Sequence, residues 1–592
     1  MASWNLNPIS WLSGTALVQQ KSKSSRTSRT TITLIYGSVL FPAWLWVSQV
    51  TKHVPEPYLD EIFHIPQAQA YCDGQYDVWD PKLTTPPGLY AFATVFVKLM
   101  GGGVCNAYSL RLFNTLTLLV TMAYASAGRD LITRLSSISK TRTVTKSWLN
   151  SHQFLTLDTV HTAVNIALFP PLFFFSGLFY TDVLSTALVL CMYIAFLRRQ
   201  GAYSDSTEGS LKLYVIGMIA LTMRQTNIFW VAIFMGGLEA VRTVKSTAAK
   251  IFVPRIPRNK QEILQAVEDY KAGNIHDVEL KHADLQDFIL CALSIVVSTV
   301  CHPILVITRL WPYIALLGSF GAFVFWNGGV VLGDKSNHVA TIHLPQLLYL
   351  SAFIAFFSFP LLYPYAISYL PGSMQRFLPA VLQSKSPKIL SKTRLAVNLV
   401  CSLIVLSVAL VTIRLNTIIH PFTLADNRHY VFYVFRYTIL RHPLIRYLLA
   451  PIYVLTAWLA YRCLGGSDTP EAMTKSKTVS SVEDLKPTGP TTSFLMIFVL
   501  TTALSLITAP LVEPRYFIIP WVIWRLHVPS IARPKSESGS PSLWNRVFVE
   551  HDHRLWFETL WFLAVNLVTG YIFLFRGFEW AQEKGNVQRF MW

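Results

Sequence analysis

The chain has 592 residues, of which 52% are hydrophobic and only 14% charged, and its mean hydropathy is +0.40. Soluble domains carry roughly 25% charge, so a water-soluble globule is excluded and an all-α polytopic membrane protein is expected. The 50 Lys and Arg outnumber 32 Asp and Glu, for a formal charge of +18. These basic residues fall between apolar runs, where they orient a chain in a bilayer, so no nucleic-acid partner is expected.

Residues 1–30 form a Ser/Thr-rich tail with Lys21, Lys23, Arg26 and Arg29, followed by an apolar run over 31–50. That pattern reads as a signal anchor with a cytoplasmic N-terminus. A span needs about 20 mostly apolar residues, and further candidates lie near 109–128, 156–178, 181–197, 211–223, 227–243, 303–331, 342–362, 394–415, 443–463, 491–511, 514–528 and 555–576. The stretch 86–100 opens with Pro86-Pro87-Gly88 and is short, so it is expected to lie in the membrane plane or re-enter. Residues 284–300 read as an interfacial helix on the opposite side. With the N-terminus inside, the basic loops 129–155, 244–283, 363–393 and 529–554 and the Arg198-Arg199 turn all fall on the inner side. Thirteen spans result, with twelve to fourteen as the range and the C-terminus outside. The segment 464–490 is Ser/Thr/Pro/Gly-rich and reads as a cytoplasmic linker, while 254–283 has the mixed charge of an amphipathic surface helix. The seven cysteines are scattered without a CxxC, so neither a zinc site nor a disulfide framework is expected.

This threading puts the unusual polar clusters on the outer side. The first outer loop, 51–108, holds Tyr58-Leu59-Asp60-Glu61 and carries six acidic residues and no basic one between Lys52 and Lys82. Acidic pairs beside an apolar span are expensive unless solvated or used. Asp60 or Glu61 is therefore either a general base for a hydroxyl substrate or part of a solvated, helix-capping loop. Arg224, Lys335, Arg428 and Arg515 all sit at outer span ends; together they suit a phosphate, and singly each has the alternative of snorkelling. His64, His338 and His429 with the acidic pair lack a metal-ligand spacing, and no metal site is expected. Polar clusters on one face, with no internal repeat, favour a one-sided enzyme over a transporter.

The strings PYLDEIFHIPQAQAYCDG, WDPKLTTPPGLY, FPPLFFFSGLFYTDVLS, RQTNIFW, GDKSNHVATIHLPQLLY, LADNRHYVFYVFR, EPRYFIIPWVIWRL and QRFMW resemble the dolichyl-phosphate-glucose-dependent alpha-1,2-glucosyltransferases of the endoplasmic reticulum. The resemblance runs from about residue 31 to Trp592 and fails over 1–30, 244–283 and 464–490. It implies a GT-C fold over 31–592, with in-plane helices and a catalytic acid in the first lumenal loop. It also implies an inverting transfer on the lumenal face of the endoplasmic reticulum membrane. The implied donor is dolichyl beta-D-glucosyl phosphate, and the acceptor is the diglucosylated dolichyl-diphosphate oligosaccharide. By the same resemblance Asp60 is the base, with Glu61 in reserve. Lys335, Arg428, Arg515 and Arg224 contact the donor phosphate, His338 and His429 bind phosphate or sugar, and neither metal nor other cofactor is required.

Overall fold

The computed structural model describes residues 29–100, 104–137, 156–199, 206–248, 252–335, 341–368, 372–375, 392–466, 489–509, 511–531 and 551–592. Within these it is overwhelmingly helical, and the strands among the described residues are one short antiparallel pair, Phe578–Glu579 with Val587–Gln588. The linker is described only at its ends, and the tail only from Arg29.

Helices lie over every segment expected to span, but length and apolar character single out fewer. Six described helices are long and apolar enough to cross a membrane, or up to eight if each of two bent pairs is one span. The expected count of thirteen is therefore not established. The reason is physical: Thr207–Leu221, Thr492–Ile507 and Ile518–His527 have 15, 16 and 10 residues, short of the roughly 20 that cross a bilayer. The bends have their own cause. Leu157–Leu168 and Pro170–Ser176 meet at 64°, and Gln346–Phe357 and Phe359–Ser368 at 94°; Pro170, Pro171 and Pro360 remove backbone donors at these breaks. The Gly88–Leu99 helix, 12 residues long, is too short to span, in keeping with an in-plane element.

Two cores matter for the site. The larger joins most of the long helices, with Phe169 stacked on Trp521 at 3.8 Å near its middle. The smaller belongs to the 51–108 loop: Ile65, Ala68 and Tyr71 of helix Glu61–Cys72 pack on Leu89, Tyr90 and Ala93 of helix Gly88–Leu99 and on Leu110 and Phe113. Gly88 makes this possible, since its N–H donates to Thr222 O at 2.9 Å and a Cβ there would lie 2.7 Å from that carbonyl.

Two expectations change. Cys72 and Cys105 are joined, with Cα atoms 6.5 Å apart, so the loop does carry a disulfide. The 33-residue separation forms no local motif, and only the folding of the loop brings the thiols together. Within 254–283, the amphipathic helix is confined to Lys260–Lys271. Beyond it Asn274–Asp277 is buried, and the Asp277 carboxylate accepts from the Ser493 N–H and hydroxyl, both at 2.8 Å, capping the Thr492–Ile507 helix.

Candidate active site

Asp60 stands at the N-cap of helix Glu61–Cys72, and Leu59 before it has φ +53°, a left-handed conformation unusual for a non-glycine residue. The two acids of the pair meet different fates. Glu61 is fully buried against Arg111, which gives it hydrogen bonds of 2.9 and 2.6 Å. Its oxygens also accept from the Tyr58 and Phe179 N–H groups at 3.1 and 2.7 Å. The remaining Arg111 donors go to the Val54 and Glu56 carbonyls. Such a carboxylate is committed to tying the loop to helix Ala107–Ser137.

Asp60 keeps a side chain that is 45% exposed, although protein surrounds it on its other sides. One oxygen accepts from Arg515 at 2.8 Å, and its backbone N–H donates to the Tyr180 hydroxyl at 3.2 Å. Burial pushes the Asp60 carboxyl up, but the charge and hydrogen bond of Arg515 outweigh it and hold the group below the usual aspartate value. Arg515 is gripped on its other side by Glu513 at 2.7 Å and lies over the rings of Tyr180 and Phe175. Next to it Arg224 pairs with Asp182 at 3.0 Å and donates to Thr181. His64 sits one helical turn past Asp60, with Nδ1 2.7 Å from the Tyr90 hydroxyl. Burial lowers its pKa to about 4, opposed by Asp60 and reinforced by Arg515 and Arg224, so it is neutral at pH 7.

The predicted cations divide. Arg515 and Arg224 share the neighbourhood of Asp60. Arg428 is close by but committed: it chelates Asp426 at 2.7–3.1 Å, donates to Gln588 at 3.0 Å and covers Trp580. His429 faces the Trp592 carbonyl, 3.2 Å from Nδ1. Lys335 instead turns back to the Asn327 carbonyl at the end of the preceding helix, Pro303–Asn327. Its loop touches the 51–108 loop further along, through Leu332 N to Thr84 O at 3.1 Å and Asp334 N to Pro81 O at 2.7 Å. His338 lies outside the described residues.

Sequence reasoning did not select His64, Tyr180, Asp182, Glu513 or Arg111 as site residues. His64 was weighed only as a metal ligand, Tyr180, Asp182 and Glu513 stood only within polar clusters at span ends, and Arg111 carried an unused signal, a charge inside an apolar run. Among the described residues no group of three His, Cys, Asp or Glu side chains is placed to hold a metal ion. A cavity of about 250 Å³ opens beside Glu513, walled by Phe422, Phe432, Leu511 and Val512 with Asp426 and His429 on its lining. A larger one, about 500 Å³, lies at the opposite end of the bundle around Arg129 and His527 and shares none of these residues.

Residues 54–526 match the model of the DIE2/ALG10 family. The chain is 40% identical to a protein of Pyricularia oryzae, over 94% of this chain and 92% of that one. It is 39% identical to one of Gibberella zeae (92% and 91% covered) and 31% identical to one of Mus musculus (95% and 97%). All three are named Dol-P-Glc:Glc(2)Man(9)GlcNAc(2)-PP-Dol alpha-1,2-glucosyltransferase. A crystal structure of the Archaeoglobus fulgidus oligosaccharyltransferase aligns over 89% of this chain and 64% of its own, at 11% identity and a TM-score of 0.25, too low to assign a fold. With most of its length matched by the family and by full-length relatives, this chain belongs to the DIE2/ALG10 family.

Proposed function

We propose that the chain is a dolichyl-phosphate-glucose-dependent alpha-1,2-glucosyltransferase that adds glucose to Glc2Man9GlcNAc2-PP-dolichol. Near-full-length identity to enzymes of that name supports the activity, and the Asp60–Arg515 pair supports where it happens. We extend the proposal to a GT-C architecture with the site on the lumenal side of the endoplasmic reticulum membrane, the N-terminus in the cytoplasm and the two dolichol-linked sugars as partners.

In this reading Asp60, ionised and reachable, takes the proton of the acceptor glucose 2-hydroxyl as that oxygen attacks C1 of the donor. The C1–O bond opposite breaks, its electron pair stays on the phosphate oxygen, and dolichyl phosphate leaves with the anomeric centre inverted. The phosphate gains negative charge at that moment, and preorganised cations stabilise it most strongly then. Arg515 and Arg224 fill this role. A guanidinium has five N–H donors, and the carboxylate pairs of these two leave some unused. Three carboxylates (Asp60, Asp182, Glu513) face those two guanidiniums; Arg428, Lys335 and His429 are assigned to the outer reaches of the donor and acceptor, and His338 to phosphate or sugar contact. The apolar walls around Phe422 and Phe432 suit the first isoprene units of a dolichyl chain. Glu61, with both oxygens paired, is assigned a structural role.

The test uses purified full-length protein with synthetic dolichyl-phosphate-glucose and a diglucosylated lipid-linked acceptor. One added hexose in alpha-1,2 linkage is expected, undiminished by EDTA. Asp60→Asn is expected to abolish transfer, a loss of at least about a hundredfold as for removal of a general base, with folding and donor binding kept. Near-normal turnover by Asp60→Asn would sink the assignment.

A further inference from the structure

The backbone that presents Asp60 is held from both sides of a strained residue. Leu59 has φ +53°, a conformation that costs a non-glycine residue on the order of 1 kcal/mol and persists only where its surroundings over-determine it. On the far side, Asp60 is fixed by Tyr180 and Arg515. On the near side the Tyr58 backbone is tied to Glu61, its N–H donating to the carboxylate at 3.1 Å and its carbonyl accepting from the Glu61 N–H at 3.2 Å, while its side chain is fixed by the C-terminal segment. Its hydroxyl accepts from the Arg589 N–H at 2.7 Å and donates to the Arg589 carbonyl at 2.8 Å. The Arg589 side chain is itself anchored to three carbonyls, Phe573 and Leu574 at 2.8 Å and His53 at 2.9 Å, so it bolts the ends of the first and last helices together.

The same segment also holds the neighbouring cation. Met591 N donates to Arg428 O at 2.8 Å, Met591 O accepts from Tyr430 N at 3.0 Å, and Gln588 bonds Arg428. One short stretch, Gln588–Met591, thus sets the distance between the Asp60 loop and Arg428.

We propose that Tyr58 and Arg589 form a latch that keeps Leu59 left-handed and thereby positions the Asp60 carboxylate for the transfer. Both are positioning residues, acting through Asp60, and the inference rests on Asp60 being the base. Without the Tyr58 hydroxyl, Leu59 relaxes to an ordinary φ and the Asp60 carboxylate swings off the acceptor hydroxyl. A glycine takes a positive φ without steric penalty, so in Leu59→Gly the loop no longer depends on the latch.

The experiment compares wild type, Tyr58→Phe, Leu59→Gly, the double variant, Arg589→Ala and Asp60→Asn in the transfer assay, with KM for each substrate and thermal midpoint in detergent. Tyr58→Phe is expected to lower kcat about tenfold, equivalent to about 1.4 kcal/mol, while KM for donor and acceptor stays within about twofold. In the Leu59→Gly background the same substitution is expected to cost no more than about threefold, about 0.65 kcal/mol. Arg589→Ala, which leaves the Tyr58 side chain intact, is expected to fall in kcat as Tyr58→Phe does. A Tyr58→Phe kcat within about twofold of wild type, or an equal cost of that substitution in both backgrounds, overturns the latch. An active Asp60→Asn overturns the base assignment instead, whereas an inactive Asp60→Asn beside an unimpaired Tyr58→Phe overturns the latch alone.

Discussion

At the scale of single residues, the two adjacent acids separate by their partners. Glu61 is paired on both oxygens and fully buried with Arg111, and removing one member of a buried pair costs about 3–5 kcal/mol because the other charge is stranded. Glu61→Gln is therefore expected to lose folded protein, read as a collapsed monodisperse peak in detergent chromatography, where Asp60→Asn keeps it. Asp60 has a different signature. Its carboxyl is held below the usual range, against burial, by Arg515, and the proposed mechanism needs it ionised. Activity is thus retained down to acidic pH and lost as pH falls through that depressed value. Replacing Arg515 with Gln removes the charge that lowers it, so the acid limb of the kcat profile is expected to move to higher pH. A limb that stays in place in Arg515→Gln would show that another group titrates.

At the scale of elements, the 51–108 loop is a small folded unit resting on its neighbours. The Gly328–Lys335 turn docks on 81–84 through Gly333, whose φ is +62° and whose Cβ position lies 2.2 Å from the Pro81 carbonyl. Gly333→Val forces the turn away from the loop, and the expected outcome is a lower kcat/KM for the donor with a lower thermal midpoint. Much of this level was legible in the sequence. The short Gly88–Leu99 helix followed from the length of its apolar run. The disulfide and the inward run Asn274–Asp277 did not, because each is made by partners distant in the chain. For the same reason the pair Glu61–Arg111 was invisible: the acid was noticed, but its cation lies fifty residues on, inside an apolar run.

At the scale of the whole molecule, the segments that surround Asp60 come from the first loop, from 178–182, 224–227 and 513–516 and from the C-terminal strands, and all gather at one end of the bundle. A disulfide at that end forms only in an oxidising compartment. Unreduced digests of the membrane-derived protein are expected to yield Cys72 and Cys105 in one cross-linked peptide pair; recovery of both as free thiols would place the first loop on the reducing side. Family membership and activity were legible in the ordered motifs, while the number of crossings was not, because several helices are short or bent and apolar length alone does not count them.

The Glu61–Arg111 pair also bears on how the chain is built. A buried guanidinium without a counter-charge is costly, and the fully buried Arg111 lies near the start of helix Ala107–Ser137. Its counter-charge, Glu61, lies fifty residues earlier in the chain and is synthesised first. Synthesis order therefore supplies the anion before the cation, and the ion pair closes without waiting for any later part of the protein.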